Sequence, residues 1–180
     1  MSIALIIVVA LFVLAIILYN KLVVARQQVK ESWSTVDTFL KRRYDLIPNL
    51  VEIVKGYAKH ESETLEAVIN ARNKAVSATT TEEEIKANGE LTNALSRLLA
   101  VAESYPELKA NTNFMDLQSN LSETEDKIAY ARQFYNDAVL KYKNKLEMFP
   151  SNIVASIFGF KPEAFFEATE QEKETPKVKF

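Results

Sequence analysis

The sequence predicts an all-α fold: a single N-terminal transmembrane helix followed by an antiparallel up-down four-helix bundle with a long kinked first helix and a long last helix. Three observations predict it. Ile3 to Leu18 is an unbroken apolar run. Beyond it, apolar residues recur at alternating spacings of four and three, the signature of helices packed along a seam. The 180 residues include only 3 Gly and 5 Pro, in a chain rich in Ala, Leu, Glu, Lys and Asn.

The apolar run is slightly shorter than the roughly 20 residues a bilayer needs. Met1 and Tyr19 extend it, and at about 1.5 Å per residue positions 1–19 span about 28 Å, enough for a hydrocarbon core. Ile3, Leu5, Val8, Phe12, Ile16 and Leu18 supply the lipid-facing surface of this anchor, and Tyr19 sits where an interfacial aromatic belongs. A cleaved signal peptide fits less well, because no positive residue precedes the run and no small-x-small site follows it. Lys21, Arg26 and Lys30 follow closely. The positive-inside rule therefore expects the N-terminus outside and the C-terminal body in the cytoplasm, at the inner membrane of a cell.

From Leu22 a heptad seam runs through Arg26, Val29, Trp33, Val36, Leu40, Arg43, Ile47, Leu50, Val54 and Tyr57. Pro48 lies within it and removes the hydrogen bond to the Tyr44 carbonyl. Two readings follow: a turn near Tyr44–Asp45, or one kinked helix running to Gly56. The unbroken register favours the kink. A second helix over 58–76 carries Leu65, Val68, Ile69 and Arg72 on one face. Thr81 with Glu84 reads as a capping box opening a third, whose stripe is Leu91, Leu95, Leu98, Val101 and Ala102. The last helix is expected over 107–148, with Phe114, Leu117, Leu121, Thr124, Ile128, Ala131, Tyr135, Ala138, Tyr142 and Phe149 on one seam.

Lengths test the topology. The first soluble helix (20–55) and the last each span roughly 55–60 Å, and the two between them roughly 30 Å each. Two long antiparallel helices flanked by a short hairpin close with those lengths. The expected division is therefore 1–20 anchor, 21–149 bundle, 150–168 a short apolar C-terminal helix, and 169–180 a disordered tail. The apolar stretch 152–160 either packs under the bundle or lies at the membrane surface.

Composition strikes out several chemistries. Without Cys there is no disulfide framework and no thiolate metal site, and a single His cannot build a His-based zinc site. His60-Glu61 lacks the second His of a zinc-protease motif. With 22 Lys+Arg against 24 Asp+Glu, the chain lacks the basic excess usual in nucleic-acid binders. No catalytic, cofactor-binding or metal residue emerges, and no cofactor is expected. Lys41, Arg42 and Arg43 form the densest basic cluster, a candidate partner surface roughly 30 Å above the membrane on an upright helix. Arg26, Arg43, Arg72 and Arg132 fall on or beside apolar stripes, with Asp37, Glu52, Glu103 and Glu125 placed to pair with them. Interior charge is costly unless paired, so these read as polar layers that fix helix register. A polar pocket for a small ligand or hard cation is the alternative.

Leu40-Lys41-Arg42-Arg43, the string from Asp45 to Val51 and the string from Val54 to Ala58 closely resemble the first signature block of the LemA family. Thr124-Glu125, Ile128-Ala129, Ala131-Arg132, Tyr135-Asn136, Phe149-Pro150-Ser151-Asn152 and Gly159-Phe160 resemble its later blocks. Asp126 departs from the Asn often found there. The resemblance implies a bacterial single-pass membrane protein with a soluble antiparallel helical bundle and no established catalytic activity. Relatives of that family are linked to membrane-associated processes, including magnetosome formation, and often accompany membrane metalloproteases. The expected function is thus a non-enzymatic, membrane-anchored scaffold or adaptor. Its partners are the lipid bilayer and other membrane proteins, a membrane metalloprotease among them by resemblance only. Nucleic acid is not expected, and exposed heptad faces permit a homo-oligomer.

Overall fold

The computed structural model describes residues 2–166, and every element among them is an α-helix. They are α1 (Ser2–Tyr57), α2 (Ser62–Val76), α3 (Thr81–Ala102), α4 (Pro106–Lys109), α5 (Thr112–Glu147) and α6 (Ser151–Ile157). The tail expected over 169–180 lies outside the described residues.

Helix α1 runs 56 residues without interruption, from the apolar segment through Pro48 to Tyr57. The chain does not turn at Asp45, nor does a boundary appear at Asn20. The side chains of 3–14 are exposed, as a lipid-facing segment requires, and this is a helix long and apolar enough to cross a membrane. Eight of the eleven seam residues of α1 are buried: Leu22, Val29, Val36, Leu40, Arg43, Ile47, Leu50 and Val54. Arg26 and Trp33 are half-buried, and Tyr57 is exposed where the helix ends.

Several boundaries differ from expectation: α2 starts at Ser62, since 58–61 form the turn after α1, and α6 covers only Ser151–Ile157 of the stretch 150–168. The capping box of α3 uses Thr80 and Glu83, one residue earlier than Thr81 and Glu84. Thr80 holds extended backbone (φ −121°, ψ 151°), accepts from the Glu83 amide, and donates its own amide to the Glu83 carboxylate. The last long helix does not start at Glu107. Pro106–Lys109 forms one short turn of its own, and Asn111 then accepts from the Phe114 amide at 3.0 Å, opening α5. At the other end α5 stops at Glu147, so Phe149 leaves its seam and is exposed. On α2 the buried stripe is Leu65, Val68 and Ala75, while Ile69 faces outward.

The described residues gather into two compact units, 2–36 with 130–165, and 37–129 with Phe166. In the first, Leu22, Ala25, Val29 and Val36 of α1 are buried, as are Ala131, Tyr135, Val139 and Tyr142 of α5. Trp33 meets Tyr135 edge-on at 5.1 Å, and the Tyr135 hydroxyl donates to the Ala164 carbonyl at 2.7 Å. Burial pushes that hydroxyl up to about 12. Helix α6 ends in a Schellman turn. Gly159 takes φ +69°, and the Phe160 amide bonds back to the Ala155 carbonyl at 3.0 Å. That turn delivers Phe160 to Tyr19 and Arg26 of α1. In the second unit, α2 and α3 pack against each other, grouped with 37–57 of α1 and 112–129 of α5. Its core includes Leu40, Ile47, Leu50, Val54, Val68, Leu91, Leu98 and Leu121.

Candidate functional site

The polar interior of the second unit centres on Arg43. Seam spacing on α1 turns this side chain inward with Leu40 and Ile47, and only 2% of it is exposed. A buried guanidinium is tolerated only when its donors find acceptors. Its Nη1 donates to both oxygens of Glu125 on α5, at 3.0 and 3.1 Å, and to Thr92 Oγ1 on α3 at 3.1 Å. Its Nη2 donates to Asn88 Oδ1 on the same helix.

Asn88 extends the network. Its amide donates to the Tyr44 hydroxyl at 2.6 Å and to the Glu84 carbonyl at 2.8 Å. The Tyr44 hydroxyl in turn reaches Glu84 Oε1 at 3.4 Å. Burial pushes the Tyr44 hydroxyl up to about 12, with the neighbouring Glu84 carboxylate adding to the rise. Burial first, and Asp37 second, raise the Glu84 carboxyl above the usual range. Glu84 is free to face Tyr44 because the cap falls one residue earlier. Chemically this cluster links side chains of α1, α3 and α5 by hydrogen bonds. The guanidinium spends both Nη groups on protein acceptors, and the phenol stays protonated at neutral pH.

The residues singled out from sequence divide as follows. Arg43 and Glu125 come together, one from each signature block. Arg43 is therefore interior and not part of an outward basic surface, whereas Lys41 and Arg42 are exposed. Asp37 pairs with Lys41 at 2.6 Å, one helical turn away. Arg72 donates from Nε to the backbone carbonyl of Tyr44 at 3.3 Å, and from Nη1 to Asn73. Arg26 lies over the Phe160 ring, 5.0 Å from its centroid. Arg132 is half-buried, and Glu52 and Glu103 are exposed. His60 sits exposed in the α1–α2 turn. Among the described residues no group of three His, Cys, Asp or Glu side chains is placed to hold a metal ion.

Asn88 and Thr92 were not singled out by sequence reasoning, Glu84 only as half of a capping box, and Tyr44 only through the carbonyl opposite Pro48. One signal existed for Asn88: it lies three residues before Leu91 and so continues the apolar stripe of α3. Beside the cluster, Thr92, Leu95, Leu99, Leu121, Glu125 and Asp126 line an open cavity of about 370 Å³ between α3 and α5.

The family model of the LemA family matches residues 32–180. The chain is 28% identical to Magnetosome protein MamQ 2 of Paramagnetospirillum magneticum, over 93% of this chain and 71% of that protein. It is 25% identical to Magnetosome protein MamQ of Magnetospirillum gryphiswaldense, over 82% of this chain and 64% of that protein. Protein LemA of Metamycoplasma hominis is 24% identical over 86% of this chain and 71% of its own length.

Proposed function

This chain belongs to the LemA family, and from that membership and its uninterrupted first helix we propose that it is a non-enzymatic scaffold or adaptor for other membrane proteins. The chain is a helical, membrane-associated protein of the LemA type. The observation that carries the reading is α1 itself. One helix continues from the apolar segment into the helical body, so the body is presented at a membrane without an intervening loop. The Arg43 cluster supports the same reading, since the hydrogen bonds of its two Nη groups and of Asn88 tie side chains of α1, α3 and α5 together, as a register-fixing layer would.

The proposal includes the antiparallel up-down arrangement of four helices, with α1 and α5 as the long pair. It places the N-terminus outside and the body in the cytoplasm, at the inner membrane, on the charges of Lys21, Arg26 and Lys30. The magnetosome relatives support a role at membranes, and a membrane metalloprotease is one candidate partner. Photo-crosslinking in cells, with the probe at the exposed Arg42 of the full chain, tests it. Discrete adducts with integral membrane proteins are expected. Hydrolytic activity of the purified chain that maps to the helical body would overturn it.

A second reading has one observation in its favour, the cavity beside Glu125. Three leucines and a carboxylate pair suit a small organic amine there. A thermal shift across a panel of amines and divalent cations tests this, and no shift at millimolar concentration rejects it.

A further inference from the structure

The end of the first unit nearest the apolar segment carries an apolar face that the protein itself leaves uncovered. Ile153 and Ile157 of α6 stand four residues apart, the spacing of one helical face, and are 51% and 72% exposed, while Phe149, in the turn before α6, is 79% exposed. Met148 and Phe158 flank them at 62% and 60%. The opposite side of α6 is satisfied, with Val154 and Ala155 buried. Contiguous exposed apolar surface of this kind marks a contact site.

Its position identifies what covers it. The Phe158 ring lies 4.8 Å from that of Tyr19, and Phe160 lies 5.6 Å from the same ring. Tyr19 closes the apolar run Ile3–Leu18, so these contacts fix the C-terminal end of α6 at the depth where the run ends. Lys21 and Lys161 are exposed beside these aromatic residues in sequence, and Arg26 stacks on Phe160. Aromatic and aliphatic side chains flanked by cations are the composition of an interfacial, non-spanning lipid contact.

We propose that α6 lies in the membrane interface, its Ile153–Ile157 face, with Phe149 of the preceding turn, dipping into the lipid beside the transmembrane segment. This second lipid contact rests on the anchored reading of α1. It makes the Schellman turn at Gly159 the device that ties α6 to Tyr19.

Because the chain contains no Cys, single nitroxide labels can be attached to the full chain at I153C and I157C, with F149C in the turn before α6 and L11C within the apolar run. The protein is reconstituted in vesicles of phosphatidylcholine and phosphatidylglycerol, and label collisions with O₂ and with a water-soluble nickel chelate are compared. Labels on α6 should collide with the nickel chelate several-fold less than free nitroxide in buffer, and more than L11C does. Water-like collision rates at I153C and I157C with a shielded L11C would overturn this inference alone. Water-like rates at L11C as well would overturn the anchor. Spin–spin broadening on α6 that vanishes on dilution with unlabelled chain would put a second copy on this face and also overturn the inference.

Discussion

Arg72 Nε donates to the Tyr44 carbonyl at 3.3 Å, the oxygen that Pro48 leaves without its helical donor four residues on. A proline inside a helix strands the carbonyl of residue i−4, and here a side chain from α2 replaces the missing N–H. The two defects therefore compensate. Arg72→Ala should cost about 1–2 kcal/mol in the natural chain, the lower part of the roughly 1–3 kcal/mol for an unsatisfied buried acceptor, because this bond is only partly buried. In a Pro48→Ala background, where an amide can return to Tyr44, the same substitution should cost measurably less. Urea unfolding of the four proteins of this cycle measures the coupling.

The Arg43–Glu125 pair is asymmetric, with the guanidinium buried and 37% of the carboxylate side chain exposed. Glu125→Leu leaves a buried charge facing an apolar residue and should cost about 2–3 kcal/mol, below the full buried-pair value because water reaches Glu125. Arg43→Met combined with Glu125→Leu should recover part of that loss. Denaturant midpoints of the singles and the double check this.

Glu84 gives the fold a pH dependence of defined sign. Its folded pKa is raised above the ordinary carboxylate value, by burial and then by Asp37. Its favourable contribution is therefore fully present below about 4.5 and is lost as pH rises through the raised value. Glu84→Gln removes that titration. The Tm difference between Glu84→Gln and the natural chain should grow in favour of the variant from pH 4 to pH 7, then level off. Thermal unfolding at half-unit pH intervals reads it.

Thr80, not Thr81, caps α3. Thr80→Ala should cost about 1 kcal/mol, the usual value of an N-cap. Thr81→Ala should stay within about 0.5 kcal/mol. Paired unfolding curves separate the two.

Much of this architecture is legible before any coordinates. Burial is periodic, so the stripes of α1, α3 and α5 appear directly in the spacing of Leu, Ile and Val, and a 16-residue apolar run needs no tertiary information. What failed did so for local reasons. Thr80 and Thr81 each stand three residues before a glutamate, so spacing alone cannot choose between them; the extended backbone at Thr80 does. The separate turn at Pro106–Lys109 was hidden because the seam begins only at Phe114. The roles of Asn88 and Thr92 appear only once Arg43 is seen opposite them, from a helix 45 and 49 residues away in the chain. Ile69 was assigned to a stripe that Arg72 and Ala75 complete instead.

Tethered scaffolding makes one demand that neither an enzyme nor a soluble binder makes: the partners depend on the body being held at a membrane, and not on which apolar helix holds it. In-cell photo-crosslinking from Arg42 can compare three chains: the natural one, one with Ile3–Leu18 exchanged for an unrelated apolar helix, and one without an anchor. The same membrane-protein adducts from the first two, and their loss from the third, are the predicted result. Undiminished adducts from the chain without an anchor would contradict it.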